Sequence, residues 1–354
     1  MQLVKVGLCA FGMSGKIFHA PFIKEHPGFF LSAIVERSKE ESKSAYPDAE
    51  IFRSVEEMLE NADIDLVVVN TPVQTHFNYV KLALEAGKDV IVEKPFTVNT
   101  AEAEKLVEIA ANKNLFLSVY QNRRFDRDFF QVKNILDSGK LGNLKEAEIR
   151  FDRFRPEPGS KEHKENPDLP GSGALHDLGS HLIDQATQLF GFPEKLFADV
   201  FSMKGSKFAN DYFEILLYYK NDLRVRLKSS VFSKEAHNAY IFHGEKGSFL
   251  QERTDSQEAE LVAGARPIFN EIWTKSLFEP DGILTFINEN SDTERILTSS
   301  EAGDYMQYYD EIYEHIVFGA ALPSPGTQII QNMKIIDAAL ESAEKEKVID
   351  LKNF

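Results

Sequence analysis

The chain has 354 residues, of which 43% are hydrophobic and 27% are charged, and its formal net charge is −16 at pH 7. This length accommodates two domains with separate cores, while the acidic balance disfavours a nucleic-acid partner, because binding to phosphate backbones depends on basic patches. No run approaches the roughly 20 apolar residues of a membrane span, and the first ten residues lack the features of a signal peptide. Cys9 is the only cysteine, so no intramolecular disulfide can form, and we expect a cytoplasmic protein.

The first predicted elements are a strand over residues 5–10, a tight turn and a helix over residues 16–24. In such a turn, glycines let the backbone approach a pyrophosphate that sits on helix N–H groups. The G-x-G-x-x-G fingerprint is imperfect, because alanine stands where the first glycine belongs. The pattern predicts a dinucleotide contact through Ala10, Phe11, Gly12, Met13, Ser14 and Gly15.

A second strand, over residues 29–35, leads into the acidic residue Glu36. Its distance along the chain from Gly15 is close to that expected of an acid that binds the adenosine ribose hydroxyls. Arg37 and Ser38 follow, and they could equally bind a 2′-phosphate, so NAD and NADP both stay open as the cofactor. The alternative interpretation is an exposed ion pair between Glu36 and Arg37 beyond the strand end.

Strands and helices continue to alternate up to residue 121, which predicts a doubly wound parallel sheet, a Rossmann domain over residues 1–121. Ligands of such sheets lie beyond the carboxyl ends of the strands, and Lys94 follows one of these ends. Pro95 restricts the backbone at Lys94, although a solvated lysine at a strand end is the alternative. The further predicted strands cover residues 65–70, 89–92 and 115–120, and the further predicted helices cover residues 55–61, 75–86 and 100–113.

A second domain, over residues 122–354, is predicted to be α+β with a largely antiparallel open sheet. Tyr120 and Arg123 lie where it begins and are weak candidates for substrate contact, the alternative being an inter-domain salt-bridge network. Residues 152–171 contain four prolines and are expected to form a loop over a pocket. Helices are predicted over residues 129–139, 305–318 and 327–347, and strands over residues 144–151, 195–203, 212–220, 223–231, 240–243 and 248–251.

One helix of this domain, predicted to begin near Ala174, carries Asp177, His181 and Asp184 on one face. No Lys, Arg or Glu occurs from residue 172 to residue 193, so this face is expected to line a pocket rather than meet water. A metal site built from these side chains and His176 is the alternative. Because His176 points about 100° away from the shared face, we expect no metal.

These motifs together resemble the Gfo/Idh/MocA oxidoreductases over essentially the whole chain, in the order that the family has them. The residues that carry the resemblance are the turn at 10–15, Thr71-Pro72, Glu93-Lys94-Pro95 and the segment 173–181. Segments 16–21, 120–126 and 175–185 are most similar to the branch that contains scyllo-inositol dehydrogenases. The resemblance implies a homodimer or homotetramer, paired through an apolar face of the second sheet.

The resemblance also implies the site residues and the reaction. Lys94, Asp177 and His181 match the usual catalytic positions, and NAD or NADP would be held by the turn together with Glu36, Arg37, Ser38, Thr71, Pro72, His76, Glu93 and Lys94. Interconverting an alcohol and a ketone needs a group that moves a proton and groups that orient the carbinol. We expect His181 to act as general acid/base and Lys94 to polarise the oxygen, with the reverse assignment open, while Asp177 accepts a hydrogen bond from a substrate hydroxyl.

The expected substrate is a small polyol or sugar. The sequence shows no obvious cluster of cations in the predicted pocket, which favours a neutral substrate over a phosphorylated one. The alternative function is an NAD(P)-binding sensor of the same fold that has lost catalysis.

Overall fold

The computed structural model describes residues 3–235, 237–275 and 279–354. They divide into two compact units, each of which receives three segments of the chain. The first unit contains residues 1–122, 256–274 and 304–330, and the second contains residues 123–255, 275–303 and 331–354.

The strands are numbered in chain order. They are β1 (Val4–Leu8), β2 (Phe29–Val35), β3 (Glu50–Phe52), β4 (Leu66–Val69), β5 (Asp89–Val92), β6 (Leu117–Val119), β7 (Leu144–Arg150), β8 (Lys195–Phe201), β9 (Tyr212–Tyr218), β10 (Arg224–Ser230), β11 (Tyr240–Gly244), β12 (Gly247–Gln251), β13 (Gly282–Ile287), β14 (Thr293–Thr298) and β15 (Ile349–Asp350).

The α-helices are numbered in the same way. They are α1 (Ala20–Glu25), α2 (Val55–Asn61), α3 (His76–Glu85), α4 (Thr100–Lys113), α5 (Arg127–Asp137), α6 (Glu162–Glu165), α7 (Ser180–Phe190), α8 (Gln257–Val262), α9 (Met306–Phe318) and α10 (Gly326–Lys345). Two π-helical turns, Gly15–His19 and Leu175–Gly179, lead directly into α1 and α7. None of the described helices is long and apolar enough to span a membrane.

A six-stranded parallel sheet with the order β3-β2-β1-β4-β5-β6 forms the centre of the first unit. This is the strand order of a doubly wound dinucleotide-binding fold, and it confirms the predicted Rossmann domain. All four residues of β4 are buried, because helices cover parallel sheets on both faces. Two helices of this unit begin at capping side chains: Ser54 accepts a hydrogen bond from the Glu57 backbone N–H at α2, and Asn99 accepts one from the Glu102 backbone N–H at α4.

Helix α9 belongs to the first unit, although the sequence analysis assigned it to a second domain beginning at residue 122. The reason is aromatic packing against the N-terminal segments. The Tyr309 ring stacks on Phe22 with 5.9 Å between centroids, and the Tyr308 hydroxyl lies 2.9 Å from the Ser118 hydroxyl. The first unit is therefore larger than residues 1–121, because buried apolar area joins segments that are distant in sequence.

A nine-stranded sheet forms the second unit, in the order β14-β13-β12-β11-β7-β10-β9-β8-β15. Every neighbouring pair is antiparallel except β7 and β10, which confirms a largely antiparallel sheet. Strands β13 and β14 lie in the region from residue 252 to residue 298, where the sequence analysis predicted no element. Helices α5 and α7 pack on one face of this sheet.

The opposite face of the second sheet was expected to be apolar, and at its centre this expectation is wrong. Side chains alternate along a strand, so β10 turns its basic residues outward. There Arg226 Nε lies 2.9 Å from Glu214 Oε1, and Lys228 Nζ lies 3.1 Å from Glu214 Oε2. Exposed apolar side chains occur only toward the margins of this sheet among the described residues, such as Phe201 on β8 and Leu297 on β14.

Candidate active site

The turn between β1 and α1 has the form that a dinucleotide needs. A Cβ atom at Gly15 would lie 2.4 Å from the Ala10 carbonyl oxygen, so only glycine fits there, whereas a Cβ at Gly12 would meet nothing within 4 Å. The turn is therefore tightly folded at Gly15 and open at Gly12, where a pyrophosphate could approach the backbone. Alanine at position 10 does not prevent this geometry.

Asn70, at the end of β4, holds the same turn, and the sequence analysis did not identify it. Its side-chain oxygen accepts a hydrogen bond from the Ala10 backbone N–H at 2.9 Å, and its amide donates to the Ala10 carbonyl at 2.8 Å. The available signal was an asparagine that ends a buried apolar strand immediately before Thr71-Pro72. Asn70 thus joins the carboxyl ends of two neighbouring strands.

Glu93 connects the turn to the segment that carries Lys94. One Glu93 oxygen accepts hydrogen bonds from the Ser14 hydroxyl and from His19, whose Nε2 lies 3.0 Å away. The other oxygen accepts from the Lys94 backbone N–H at 3.1 Å. Burial alone would raise the pKa of Glu93, but the bonds from His19 and Ser14 and the Lys94 charge lower the pKa to about 2.

Lys94 is half-buried, and its peptide bond to Pro95 is cis. His76 braces the segments on either side of this strand end: its Nδ1 lies 3.0 Å from the Pro95 carbonyl oxygen and its Nε2 lies 2.8 Å from the Thr71 carbonyl oxygen. The His76 ring is buried, and burial lowers its pKa. These contacts indicate that His76 supports the segments at Thr71 and Pro95.

Tyr120 lies within the aromatic core of the first unit. Its ring centroid is 4.6 Å from that of His19 and 4.8 Å from that of Tyr308, and the residue is only 1% exposed. The Nδ1 atom of His19 lies 2.7 Å from the Tyr309 hydroxyl. Packing in this aromatic core accounts for the burial of Tyr120, so contact with a substrate is not needed to explain it.

In the second unit, Asp177 lies on the π-helical turn that precedes α7, and His181 follows in the first turn of α7. The sequence analysis expected one continuous α-helix. π-helical turns of this kind occur often at functional sites, because they displace side chains from the regular α-helical positions. Asp177 Oδ1 accepts a hydrogen bond from Lys164 Nζ at 2.7 Å, and His181 is 4% exposed.

Asp184 secures α7 within the second unit. Its two oxygens accept hydrogen bonds from Arg124 Nε at 2.7 Å and Nη2 at 2.6 Å, and Asn332 donates a third at 2.9 Å. This bidentate pair is buried and occupies the carboxylate that a metal site would need. Gln188, one turn farther along α7, has an exposed side chain.

Arg123 is buried in a network inside the second unit. Its Nη1 lies 3.3 Å from Asp126 Oδ2, its guanidinium lies 4.8 Å from the Phe151 ring centroid, and its carbonyl accepts a hydrogen bond from Gln185 at 3.1 Å. Arg253 also faces Phe151, at 4.3 Å. These contacts favour the structural interpretation of Arg123 over substrate contact.

Asp177 borders a cavity of about 290 Å³ in the second unit. Part of its wall comes from the proline-containing loop, in agreement with the prediction of a loop over a pocket. The charged residues that line it are Arg153, Arg155, Lys161, Lys164, Lys204, Glu157, Glu165, Asp177 and Asp211. The expectation that no cluster of cations surrounds the pocket is therefore wrong for this cavity, because the proline-containing loop itself contributes four of its five basic residues.

Comparison with known proteins gives matches to both parts of the chain. Residues 4–121 match a family model described as an oxidoreductase family with an NAD-binding Rossmann fold, and residues 129–250 match a model of the GFO/IDH/MocA C-terminal domain. The chain is 35% identical over 354 residues to scyllo-inositol 2-dehydrogenase (NADP(+)) IolW of Bacillus subtilis (strain 168), covering 100% of this chain and 97% of that protein.

A shorter match and two solved structures agree with these family matches. D-xylose 1-dehydrogenase (NADP(+)) of Hypocrea jecorina is 37% identical over 139 residues, which are 37% of this chain and 35% of that enzyme. The crystal structure of an oxidoreductase from Bacteroides fragilis has a TM-score of 0.88 and 43% identity, covering 99% of this chain and 100% of that one. The structure of yvaA from Bacillus subtilis has a TM-score of 0.91 and 34% identity, covering 99% of each chain.

Proposed function

Because the chain belongs to the Gfo/Idh/MocA family of oxidoreductases, we propose that it transfers a hydride between a nicotinamide cofactor and a hydroxyl-bearing or keto carbon of a polyol or sugar. The observation that carries this proposal is the position of Lys94 just after strand β5 of the Rossmann sheet. Asp177 lies on the π-helical turn and His181 on α7. The printed names of the inositol and xylose dehydrogenases support the class of substrate.

The residues of the turn fit a dinucleotide, because the backbone is open at Gly12 and fixed by Asn70 at Ala10. When bound, the nicotinamide accepts or returns the hydride. We assign to Lys94 a hydrogen bond to the reacting oxygen, since Glu93 binds its backbone N–H and so limits its movement. Held in this way, the ammonium group can stabilise negative charge on that oxygen.

We assign proton transfer to His181, because histidine exchanges protons near neutral pH. Asp177, already oriented by Lys164, accepts a hydrogen bond from a substrate hydroxyl next to the reacting carbon. In the alternative assignment, Lys94 transfers the proton and His181 binds the reacting oxygen. A pH profile of each variant would distinguish the two assignments.

The direct test is a screen of the purified protein with NAD(H) and NADP(H) against inositols, aldoses and their keto forms, with nicotinamide absorbance as the readout. Because cations line the cavity beside Asp177, sugar acids belong in the same screen. Turnover of any neutral or acidic polyol supports the proposal. Cofactor binding without turnover of any of them overturns it in favour of a dinucleotide sensor.

A further inference from the structure

The cavity beside Asp177 carries more basic than acidic residues, in a chain whose net charge is −16. Five basic and four acidic residues line it. Two of the four carboxylates are already bound within the protein. Asp177 accepts a hydrogen bond from Lys164 Nζ at 2.7 Å, and Asp211 accepts two from the backbone N–H groups of Met203 at 2.7 Å and Lys204 at 3.1 Å. The wall therefore has a surplus of positive charge in a strongly negative protein, which favours an anionic ligand.

Lys204 places a nearly buried side chain against this cavity. The side chain is only 7% exposed, and its Nζ atom lies 3.9 Å from Glu165 Oε2, which is beyond the distance of a hydrogen bond. The Lys204 backbone N–H donates to Asp211, so the residue is fixed in the wall. Burying an ammonium group costs free energy unless an anion approaches it closely. The cavity beside Lys204 has the space for such an anion.

Arg153 and Arg155 reach the same cavity from the start of the proline-containing loop. Their backbone is fixed to the end of β10 and the residue after it, because their N–H groups donate to the Ser230 and Val231 carbonyls, both at 2.8 Å. The residue between them forms an isolated β-bridge, and side chains two residues apart in extended backbone lie on the same side. The Arg153 guanidinium also lies 4.9 Å from the Phe151 ring centroid. A braced segment thus presents two arginines together.

The size of the cavity and its small surplus of charge limit the ligand. Its volume of about 290 Å³ is near the lower end of the range for ligand pockets, roughly 300–1,000 Å³, which suits a single monosaccharide. Five basic and four acidic residues leave a surplus of one positive charge. A phosphate group carries about −1.5 to −2 charges at neutral pH and exceeds this surplus. A carboxylate matches it, and arginine binds carboxylates through two parallel hydrogen bonds.

We propose that the cavity selects a monosaccharide that bears a carboxylate, a sugar acid, and that a basic wall, defined as Arg153, Arg155 and Lys204, binds this carboxylate. Asp177, at the same cavity, accepts a hydrogen bond from a hydroxyl of the sugar. In the oxidative direction, the carbinol carbon gives a hydride to the oxidised nicotinamide and its hydroxyl gives a proton to His181, so a carbonyl group forms and the carboxylate is unchanged. The inference rests on the proposed function and names its class of substrate.

The first test compares ligands that differ in the acidic group. The pairs are galacturonate with galactose, glucuronate with glucose and gluconate with glucitol, and the 6-phosphates of galactose and glucose are a third arm. Isothermal titration calorimetry of the full chain with NAD or NADP measures binding, and nicotinamide absorbance measures kcat/KM. We expect a sugar acid to bind at least about tenfold more tightly than its neutral partner, since charge-assisted hydrogen bonds are among the stronger ones. The difference should decline as salt is added.

Variants then test the basic wall itself. Arg155 is exposed, so its replacement carries little risk to folding. Arg155→Gln and Lys204→Met should each weaken binding of the sugar acid, and lower its kcat/KM, about tenfold, and leave the neutral partner within about twofold. Arg155→Lys keeps the charge without the paired hydrogen bonds and should retain more affinity than Arg155→Gln. Lys207→Ala is the matched control and should change neither ligand, because this exposed lysine does not line the cavity.

Equal affinity for every sugar acid and its neutral partner overturns the proposal. So does tighter binding of a 6-phosphate than of the matching sugar acid, or an equal loss for acidic and neutral ligands in Arg155→Gln. Turnover of neutral polyols with no preference for the acids removes this inference and leaves the proposed function standing. Preferential binding of a sugar acid without hydride transfer does the reverse.

Discussion

At Glu93 a buried carboxylate joins three parts of the cofactor-binding unit. Ser14 belongs to the dinucleotide turn, His19 to the π-helical turn, and Lys94 to the strand end. Glu93 was predicted to bind the cofactor, and that role stays a prediction alongside these contacts within the protein. We therefore interpret Glu93 as a positioning residue for Lys94 and for the turn.

Glu93→Gln tests this arrangement through the pH dependence of stability. The pKa of Glu93 is lowered from 4.5 to about 2, so the folded chain binds this proton less readily than the unfolded chain. The carboxylate therefore stabilises the fold above about pH 4.5, and this contribution is lost as the pH falls toward about 2. We expect the variant to lower the free energy of unfolding in urea by about 2–3 kcal/mol at neutral pH, and by less near about pH 3. A difference that is constant over this range would contradict the interpretation.

A second prediction concerns the proposed catalytic residues. Lys94→Ala and His181→Ala should each lower turnover by roughly 100-fold or more, the range usual for groups that transfer or stabilise a proton. Dinucleotide affinity, measured by fluorescence, should change little. Lys105→Ala, on the exposed side of α4, and His243→Ala, on β11, are the controls. Retained activity in either test variant rejects the role of that residue.

Lys94, Asp177 and His181 could be proposed from the sequence because each lies in a short motif at a predicted strand end or helix, and their roles remain predictions. The hydrogen bonding of Glu36 could not be predicted in this way. It depends on the chain returning six residues later, so that Ser42 donates two hydrogen bonds to it. No periodicity or propensity in the sequence specifies that return. The expected acid was thus at the right position, but bound to its own loop.

Among the elements, α7 is held by a buried ion pair. The pair of Asp184 with Arg124 is bidentate, and both side chains are less than a tenth exposed. Leaving one buried partner of such a pair without the other commonly costs about 3–5 kcal/mol, whereas an exposed pair on one helix contributes about 0.5 kcal/mol or less. The pair therefore fixes the helix that carries His181.

We expect Asp184→Asn to lower the free energy of unfolding in urea by about 3 kcal/mol or more. The matched control is Lys345→Ala, which breaks an exposed pair with Glu341 on α10. It should change the free energy of unfolding by about 0.5 kcal/mol or less. Equal effects of the two substitutions would show that the buried pair contributes no more to the free energy of unfolding than the exposed pair.

The alternation of strands and helices was enough to predict the Rossmann sheet, because five of its six strands are short apolar runs between clear breaks. The short strand β3 at its edge, which begins with Glu50, was not predicted. Strand β14 escaped prediction for a physical reason. Five of the six residues of β14 are exposed, so this edge strand lacks the apolar alternation that reveals a half-buried strand. The order of the second sheet was equally out of reach, since it depends on long-range pairing such as that of β7 with β10.

For the molecule as a whole, the resemblance implied pairing of subunits through the second sheet, and we keep this as a proposal. The outward face that would pair carries Arg226 among Glu146, Glu148 and Glu214. Sedimentation velocity should show a dimer or tetramer, and Arg226→Glu should shift it toward monomer, because like charges would then adjoin. A monomer for the unaltered chain contradicts the proposal.

The division of each unit into three chain segments has a consequence for synthesis on the ribosome. The aromatic rings of α9 complete the core around Phe22 and Phe29, yet α9 ends at residue 318. The nascent dinucleotide-binding unit cannot therefore finish its core until synthesis has passed residue 318. During that interval its apolar surface stays open to water, and this is when the protein would most need a chaperone.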